Sequence, residues 1–236
     1  RVDQWFAWFW RYLRSLRGHF HTTVAGGHWL AHRFEQHGLG PVAGIPLGID
    51  RAAFSPAFRD EALRAQLLEA CAMPQDAKLA LAVGRFHPEK RWPMVIKATV
   101  KASKSTPIGL VVVGDGIDRA RVQRAAAGQP NVHIIPPIRN RPLLAAHLAS
   151  GDVLVHGCDS ETFGLLPAEA MASGLRPSVI IMDVNFASGV GWDILQKLKE
   201  RDDTFDIPII VVTLSDEEQR ALDAGAFSFL QHPIMP

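Results

Sequence analysis

From residue 79 onward, short apolar runs alternate with stretches of helical periodicity, and this alternation limits the fold more than any other feature. The apolar runs lie at 79–83, 109–113, 131–135, 152–156, 179–183, 208–212 and 227–230. The helical stretches lie at about 91–104, 117–127, 141–149, 164–173, 190–200 and 216–224. Short buried strands separated by helices of about ten residues are typical of βαβ units. The sequence therefore predicts an α/β protein with a doubly wound, Rossmann-like parallel sheet that is buried on both faces.

The part before residue 79 has a different pattern. Residues 4–20 have the periodicity of an amphipathic helix, with aromatic and leucine side chains on one stripe and Arg11, Arg14 and Arg17 largely off it. Two interpretations stay open: the helix packs on a neighbouring domain or partner chain, or it lies at a membrane surface. The other predicted segments of this part are helices at 28–37 and 60–70 and a linker at 42–56.

The composition is that of a folded globular chain. Its 236 residues are 47% hydrophobic and 21% charged, which suits one large or two small domains and excludes a disordered or fibrous chain. No apolar run reaches the ~18–20 residues that span a bilayer, and the first residues lack a signal-peptide pattern. The two cysteines, Cys71 and Cys158, give neither a disulfide framework nor paired metal-ligand spacing. We therefore expect a cytoplasmic protein, with any membrane contact peripheral.

The small net charge of +1 hides an asymmetry along the chain. Residues 178–236 carry ten acidic and four basic side chains, whereas residues 1–177 carry fourteen acidic and 21 basic ones. A basic body suits phosphorylated small molecules as well as nucleic acid. Outside residues 1–20, however, no basic stripe is interleaved with aromatic residues, so we do not expect a nucleic-acid partner.

The residues after the first two strands suggest an anion-binding edge, because ligands of doubly wound sheets bind beyond the carboxyl ends of the strands. Gly84 allows a sharp turn after the first strand, and Arg85 and Lys90 place two cations that could contact a phosphate. Gly114 and Gly116 flank an aspartate after the second strand. They could allow the backbone to approach a ligand closely, or they could simply form a tight turn between a strand and a helix.

The segment after the fourth strand, 156–174, carries the strongest functional signal. Gly164 is predicted to open a helix, which leaves backbone N–H groups near 163–166 available for an anion or for sugar hydroxyls. Glu161 lies just before that helix and Glu169 lies inside it. Carboxylates only accept hydrogen bonds, so each of these two could bind vicinal hydroxyls of a polyol.

The spacing of Glu161, seven residues and Glu169 resembles the signature of retaining, nucleotide-sugar-dependent glycosyltransferases of family four. That family has the GT-B architecture of two facing Rossmann-like domains. Further motifs resemble it in the same order, namely Ile45-Pro46-Leu47-Gly48-Ile49-Asp50 with Phe54 and Pro56, Val83-Gly84-Arg85 with Lys90, Val113-Gly114-Asp115-Gly116, and Ala149-Ser150-Gly151-Asp152-Val153. The resemblance covers about residues 20–176.

The resemblance implies a role for each matching residue. Arg85 and Lys90 would bind the donor diphosphate, and Glu161 would hold hydroxyls of the transferred sugar; these three are the expected catalytic residues. Glu169 would hold the ribose. The remaining expected substrate-binding residues are Phe163, Gly164, Leu165, Gly84 and Gly114. The implied reaction is transfer of a hexosyl group from a nucleotide-diphosphate sugar with retention, without a metal ion or another cofactor.

Residues 178–236 resemble the second half of a response-regulator receiver domain. Val179–Asp183 is similar to the phospho-acceptor strand, Pro208–Thr213 to the strand with the switch threonine, and His232-Pro233 stands where receivers have Lys-Pro. Because that lysine and the acidic pair of the missing first half are absent, we expect Asp183 to be a capping or solvated carboxylate rather than a phospho-acceptor. A non-enzymatic fold chimera or a receiver-like signalling module is the alternative to a glycosyltransferase.

The sequence thus predicts three segments. Residues 1–40 are remnant helices of the acceptor-domain side, 41–177 form the nucleotide-sugar-binding domain, and 178–236 form a receiver-like segment. We expect the third segment to continue the same sheet, with 179–183 beside 152–156. Because the acceptor domain is reduced to 1–40, donor binding is expected to outlast catalysis, and whether the chain is active alone stays open.

Overall fold

The fold comes from a computed structural model, which describes residues 7–45, 48–158, 164–175, 179–182, 184, 190–202, 204–213 and 216–231. The chain divides into two compact units, residues 1–175 and residues 176–236. Residues 1–40, predicted as a separate segment, belong to the first of these units. Within the described residues, no helix is both long and apolar enough to cross a lipid bilayer.

The first unit begins with a small α/β layer. Its elements are α1 (Ala7–Leu16), β1 (Thr23–Ala25), α2 (His28–Gln36) and β2 (Val42–Gly44), and β1 pairs with β2 in parallel. The helix predicted at 4–20 is confirmed over α1, where Trp10 and Leu13 pack against a buried cluster that includes Ala31 of α2. The Trp10 ring also stacks on the His37 ring, with 3.8 Å between centroids. One face of α1 is therefore used for packing inside the unit.

The main part of the first unit is a four-stranded parallel sheet. Its elements are α3 (Glu61–Ala70), β3 (Lys78–Val83), α4 (Trp92–Ala102), β4 (Ile108–Val113), α5 (Arg119–Ala126), β5 (Val132–Ile135), α6 (Arg141–Ser150), β6 (Val153–Leu154) and α7 (Leu165–Ala172). The strand order is β5-β4-β3-β6, with every pair parallel. Counted from β3, this is the 3-2-1-4 order that begins a Rossmann-like sheet. The predicted α/β class and parallel sheet are confirmed.

Both faces of this sheet are buried, as the continuous apolar runs predict. Successive side chains of a strand point to opposite faces. On β3, Leu79 and Leu81 therefore join one core cluster with residues of α3 and α6, such as Leu68 and Leu148. Ala80 and Ala82 join the other cluster, against Trp92, Val95 and Ile96 of α4 and Val122 of α5. Helices on both faces hold the strand ends, and hence the loops, in fixed positions.

The segment 42–56 is not simply a linker, so that expectation was wrong in part. Val42–Gly44 forms β2, and the Phe54 ring is only 1% exposed within the same core cluster as Leu68 and Leu148. A three-residue strand has too few residues to show an alternating pattern. The surrounding glycines and prolines are more typical of a linker than of a strand. The segment is consequently anchored to the sheet domain at Phe54.

The second unit contains a three-stranded parallel sheet. Its elements are β7 (Ile180–Met182), α8 (Val190–Glu200), β8 (Ile209–Thr213), α9 (Glu218–Asp223) and β9 (Ser228–Gln231). The strands lie side by side in sequence order, as predicted for this segment. The core contains Met182, Val184, Leu195, Ile209 and Val211.

Strand β6 pairs with β3, and β7 pairs with β8. The continuation of one sheet through both segments stays a prediction. The sequence predicted a strand at 152–156, and β6 has two residues, Val153 and Leu154.

Candidate functional site

The strands of the first sheet bring four loops to one edge. Val83 of β3 is in register with Val113 of β4, and Val113 is in register with Ile135 of β5. Because all four strands are parallel, the loops after them begin at the same edge. Three of these loops are 84–91, 114–118 and 136–140, and the fourth is described over 155–158 and at Gly164. Every described residue of the predicted site lies in one of these loops or in the helix that comes after it.

The loop 84–91 presents Arg85 from a fixed backbone. Gly84 N donates to Val113 O at 3.0 Å, and Phe86 N donates to Asp115 O at 2.8 Å. The Trp92 indole N–H donates to Arg85 O at 2.9 Å. The Arg85 side chain is 81% exposed and its guanidinium lies 3.4 Å from the Glu89 carboxylate. Exposed ion pairs of this kind are worth little, so Arg85 can exchange Glu89 for a bound anion at small cost.

Gly114 is needed for packing between two of these loops. A Cβ at Gly114 would lie 2.0 Å from the backbone oxygen of Gly84 and 2.8 Å from the Phe86 ring. A Cβ at Gly116 would lie 2.5 Å from Phe86 O. The sequence left two roles open for these glycines, namely close approach to a ligand or a tight turn. The contact between the two loops accounts for the tight turn. Gly114 supports the position of the loop that carries Arg85.

Asp115, between these glycines, is held as a carboxylate. The Gly116 N–H donates to Asp115 Oδ1 at 2.8 Å, and Arg119 donates to Oδ2 at 2.9 Å. These two contacts, with the backbone donor the larger, hold the pKa of Asp115 below its usual value. Asp115 therefore stays charged, and each of its carboxylate oxygens has a hydrogen-bond donor within the same turn.

Lys90 joins the first loop to the loop after β6. Its ammonium lies 3.2 Å from the Cys158 sulfur, and a Cβ at Gly157 would lie 3.2 Å from Lys90 O. Lys90 thus brings the loop after β3 into contact with residues 157 and 158, which follow β6.

Gly164 begins α7 as the sequence predicted. It adopts φ = +73°, a left-handed conformation that favours glycine. Ala168 N donates to Gly164 O, and Pro167 has no N–H. In this first turn, helix geometry gives the N–H groups of Leu165 and Leu166 no partner four residues back. They can therefore donate to a ligand beyond the helix start.

Glu169 is a buried carboxylate with one charged partner. Its side chain is 7% exposed, and its Oε1 accepts a hydrogen bond from Arg141 Nη2 at 3.1 Å. The Arg141 guanidinium also lies over the Phe54 ring, 4.9 Å from the centroid. Arg141 was not predicted as a site residue, because its position depends on residues that are far away in sequence.

Several predicted site residues lie outside the described residues. These are Glu161, Phe163, Asp183 and the His232-Pro233 pair. Their roles stay predictions. In the part of the chain that the structure describes, no group of three or more His, Cys, Asp or Glu side chains could hold a metal ion.

Comparison with known proteins agrees with this architecture. Residues 64–189, more than half of the chain, match the family glycosyl transferases group 1, and residues 159–236 match the response regulator receiver domain. HepE from Anabaena, solved in complex with UDP and glucose, superposes with a TM-score of 0.60 at 18% identity, covering 91% of this chain and 56% of HepE. A glycosyltransferase from Rickettsia africae gives 0.57 at 18% identity, covering 89% of this chain and 55% of that one.

Curated relatives extend well beyond the aligned region. A GDP-mannose-dependent alpha-mannosyltransferase of Mycolicibacterium smegmatis is 33% identical over 166 residues, which is 70% of this chain and 41% of the relative. A D-inositol 3-phosphate glycosyltransferase of Kineococcus radiotolerans is 30% identical over 174 residues, or 64% of this chain and 39% of the relative. The chain thus spans about 40% of the length of these relatives.

The parallel α/β architecture of this chain is similar to the folds of HepE and of the Rickettsia africae glycosyltransferase. More narrowly, the family match shows that the chain belongs to glycosyl transferases group 1.

Proposed function

We propose that the carboxyl edge of the first sheet binds a nucleotide-diphosphate sugar. The observation that carries this proposal is the position of Arg85 and Lys90. Both lie on one loop, which is held by Gly84, Phe86 and Trp92 and which meets, through Lys90 and Cys158, the loop that leads to α7. Two cations on one loop at the carboxyl edge of a parallel sheet are a suitable environment for a diphosphate.

In this proposal the diphosphate binds Arg85 and Lys90, and the N–H groups at the start of α7, including Leu165, donate to sugar and phosphate oxygens. Glu169 accepts hydrogen bonds from the ribose hydroxyls, and Glu161 accepts them from the transferred sugar. The backbone at Gly84 and Gly114 lies beside the donor. When the glycosidic bond breaks, negative charge develops on the departing diphosphate, and the cations and the helix start stabilise it without a metal ion.

The reaction we propose is transfer of a hexosyl group with retention of configuration. The name of the mycobacterial relative, a GDP-mannose-dependent alpha-mannosyltransferase, makes GDP-mannose the first donor to test. HepE was solved with UDP and glucose, which makes UDP-glucose the second. Since the chain spans about 40% of its relatives, we propose donor binding, rather than complete transfer, as the activity of these 236 residues.

Isothermal titration calorimetry with GDP-mannose, UDP-glucose and ADP-glucose tests this proposal. We expect one donor to bind, and Arg85→Ala and Lys90→Ala to weaken it about 10- to 100-fold each, as lost charge-assisted hydrogen bonds would. Lys97→Ala is the matched control, because Lys97 is an exposed lysine of α4 outside the four loops. Addition of EDTA should leave the affinity unchanged. Failure of all three donors to bind would overturn the proposal.

A second candidate function rests on the receiver-domain match at residues 159–236. A receiver-like signalling module would accept a phosphoryl group on Asp183. Incubation with acetyl phosphate and magnesium, followed by intact mass measurement, tests it. A gain of one phosphoryl group that is lost in Asp183→Asn would favour signalling. If neither a phosphoryl group nor a nucleotide sugar binds, the result would favour a non-enzymatic fold chimera.

A further inference from the structure

Arg141 occupies a position that helix electrostatics do not favour. It is the first residue of α6, directly after Asn140, whose side chain accepts from Leu143 N at 2.9 Å and caps the helix. The start of a helix carries a partial positive charge, so a cation there is mildly destabilising. A residue that breaks a local rule in this way is commonly retained for a contact elsewhere.

Two contacts hold the Arg141 guanidinium in place. Its Nη2 donates to Glu169 Oε1 at 3.1 Å, and its carbon lies 4.9 Å from the centroid of the Phe54 ring. Phe54 is only 1% exposed, so the surface under the guanidinium is fixed by the core. A planar guanidinium that stacks on an aromatic ring and bonds a carboxylate is restricted in both tilt and position.

The pairing uses only part of the Glu169 carboxylate. Arg141 bonds Oε1, and the structure shows no hydrogen bond from a described residue to Oε2. The Glu169 side chain is 7% exposed, and a buried polar group needs hydrogen-bond partners, one of which Arg141 supplies. Arg141 itself is 57% exposed, so it lies between the buried carboxylate and solvent at the carboxyl edge of the sheet.

We propose that Arg141 is a positioning residue for the ribose-binding carboxylate. It fixes the orientation of the Glu169 carboxylate, so that the other carboxylate oxygen accepts hydrogen bonds from vicinal ribose hydroxyls. This inference rests on the proposed function and assigns a residue to it that neither the motif pattern nor the paired glutamates indicated. It distinguishes Arg141 from Arg85 and Lys90, which are proposed to contact the diphosphate.

Removal of the ribose hydroxyls separates these two roles. The probes are UDP, GDP and ADP, together with the 2′,3′-dideoxy form of whichever diphosphate binds the full 236-residue chain. For the wild type we expect the dideoxy form to bind about tenfold or more weakly, as loss of hydrogen bonds to a charged group predicts. In Arg141→Ala we expect the ribose form to weaken to within about threefold of the dideoxy form, whose own affinity hardly changes.

Four further variants complete the experiment. Glu169→Ala should abolish the preference for ribose, and Arg141→Ala combined with Glu169→Ala should lose no more than Glu169→Ala alone. Arg141→Lys should recover only part of the preference, because lysine lacks the planar guanidinium. Arg139→Ala is the matched control, since Arg139 is an exposed arginine in the preceding loop, and it should keep the wild-type preference. Thermal unfolding of each variant checks that it is folded.

The outcomes separate this inference from the proposed function. If Arg141→Ala weakens the ribose and dideoxy forms equally, Arg141 contacts the diphosphate or the base directly and the positioning role is wrong. If Arg141→Ala keeps the full preference, the inference is also wrong, while the proposed function stands. If the wild type binds none of the three diphosphates, the proposed function fails and the positioning role fails with it.

Discussion

The two parallel sheets of this chain are built by the same pattern but differ in the loops and helices after their strands. In the first sheet, the segments after strands β3–β6 carry Arg85, Lys90, Arg141 and Glu169. In the second sheet, the described residues after β8 include two carboxylates, Asp216 and Glu217. The second segment as a whole has ten acidic and four basic side chains. These charges support the first sheet, rather than the second, as the proposed site of an anionic donor.

This difference shows that the fold and the choice of ligand depend on different residues. Buried strands such as Leu79–Leu81 and Ile209–Val211 determine that each segment forms a parallel sheet, and they are chemically alike. The loops and the helices that follow them decide the chemistry, because they carry the charged side chains of the proposed site. Variants that alter a loop without the core, or the core without a loop, should therefore separate binding from stability.

The largest effect is expected from Gly114→Ala, which forces a Cβ to within 2.0 Å of Gly84 O. Gly84 O is a backbone atom and the position of the Cβ is fixed by the backbone of residue 114, so neither atom can move aside. We therefore expect a loss of about 3 kcal/mol or more in the free energy of unfolding. Urea denaturation measures it. Gly48→Ala is the control, because nothing lies within 4 Å of a Cβ there, and it should change stability by less than about 1 kcal/mol. A Gly114→Ala variant as stable as the wild type would contradict the packing role.

A matched pair of core truncations compares the sheets directly. Leu81 in β3 and Ile209 in β8 are both fully buried, and replacement by alanine should cost about 2–5 kcal/mol in either sheet. We expect only Leu81→Ala to weaken nucleotide binding as well, because β3 carries the loop with Arg85 and Lys90. Hydrogen exchange would measure the stability of each variant, and calorimetry would measure its affinity for the nucleotide. Equal losses of affinity in both variants would remove the distinction between the sheets.

The smallest predicted effect concerns pH. Burial raises the pKa of the Cys71 thiol from 9.0 to about 11. Above pH 9 the unfolded chain loses this proton while the folded chain keeps it, so stability falls between pH 9 and pH 11 and is unaffected below pH 9. By pH 10 the loss is about 1 kcal/mol. Both cysteines belong to the first unit, so the second should lack this loss.

Urea denaturation at pH 8 and pH 10 tests this pH effect in the wild type and in Cys71→Ala. The decrease in unfolding free energy should be about 1 kcal/mol smaller in the variant. Cys158→Ala, which changes the half-buried cysteine near Lys90, should keep the wild-type decrease. Identical pH dependence in the wild type and Cys71→Ala would show that the Cys71 thiol is not protected by burial.

Much of the fold could be predicted because the strands are apolar runs that alternate regularly with helical stretches. The run at 79–83 is confirmed as Lys78–Val83, and the helix predicted at 164–173 is confirmed as Leu165–Ala172. The strand Val42–Gly44 was missed, because it has three residues and is flanked by glycine and proline. An element of three residues is too short for a hydrophobic period to be detected.

Less of the site could be predicted, because side-chain contacts depend on residues that are distant in sequence. The loop cations Arg85 and Lys90 come after a strand and were evident from that position alone. Arg141 was missed, since its role depends on Phe54 and Glu169, which lie 87 residues earlier and 28 residues later. The requirement for glycine at position 114 was likewise ambiguous until its distance from Gly84 O was known.

The central claim is that the carboxyl edge of the first sheet binds the donor. Hydrogen–deuterium exchange of the wild-type chain, with and without saturating GDP-mannose or UDP-glucose, measures this most directly. We predict slower exchange of the peptides that cover 84–91 and 164–172, and unchanged exchange in 209–213 of the second sheet. Protection confined to the second sheet, or no protection at any peptide, would contradict the account.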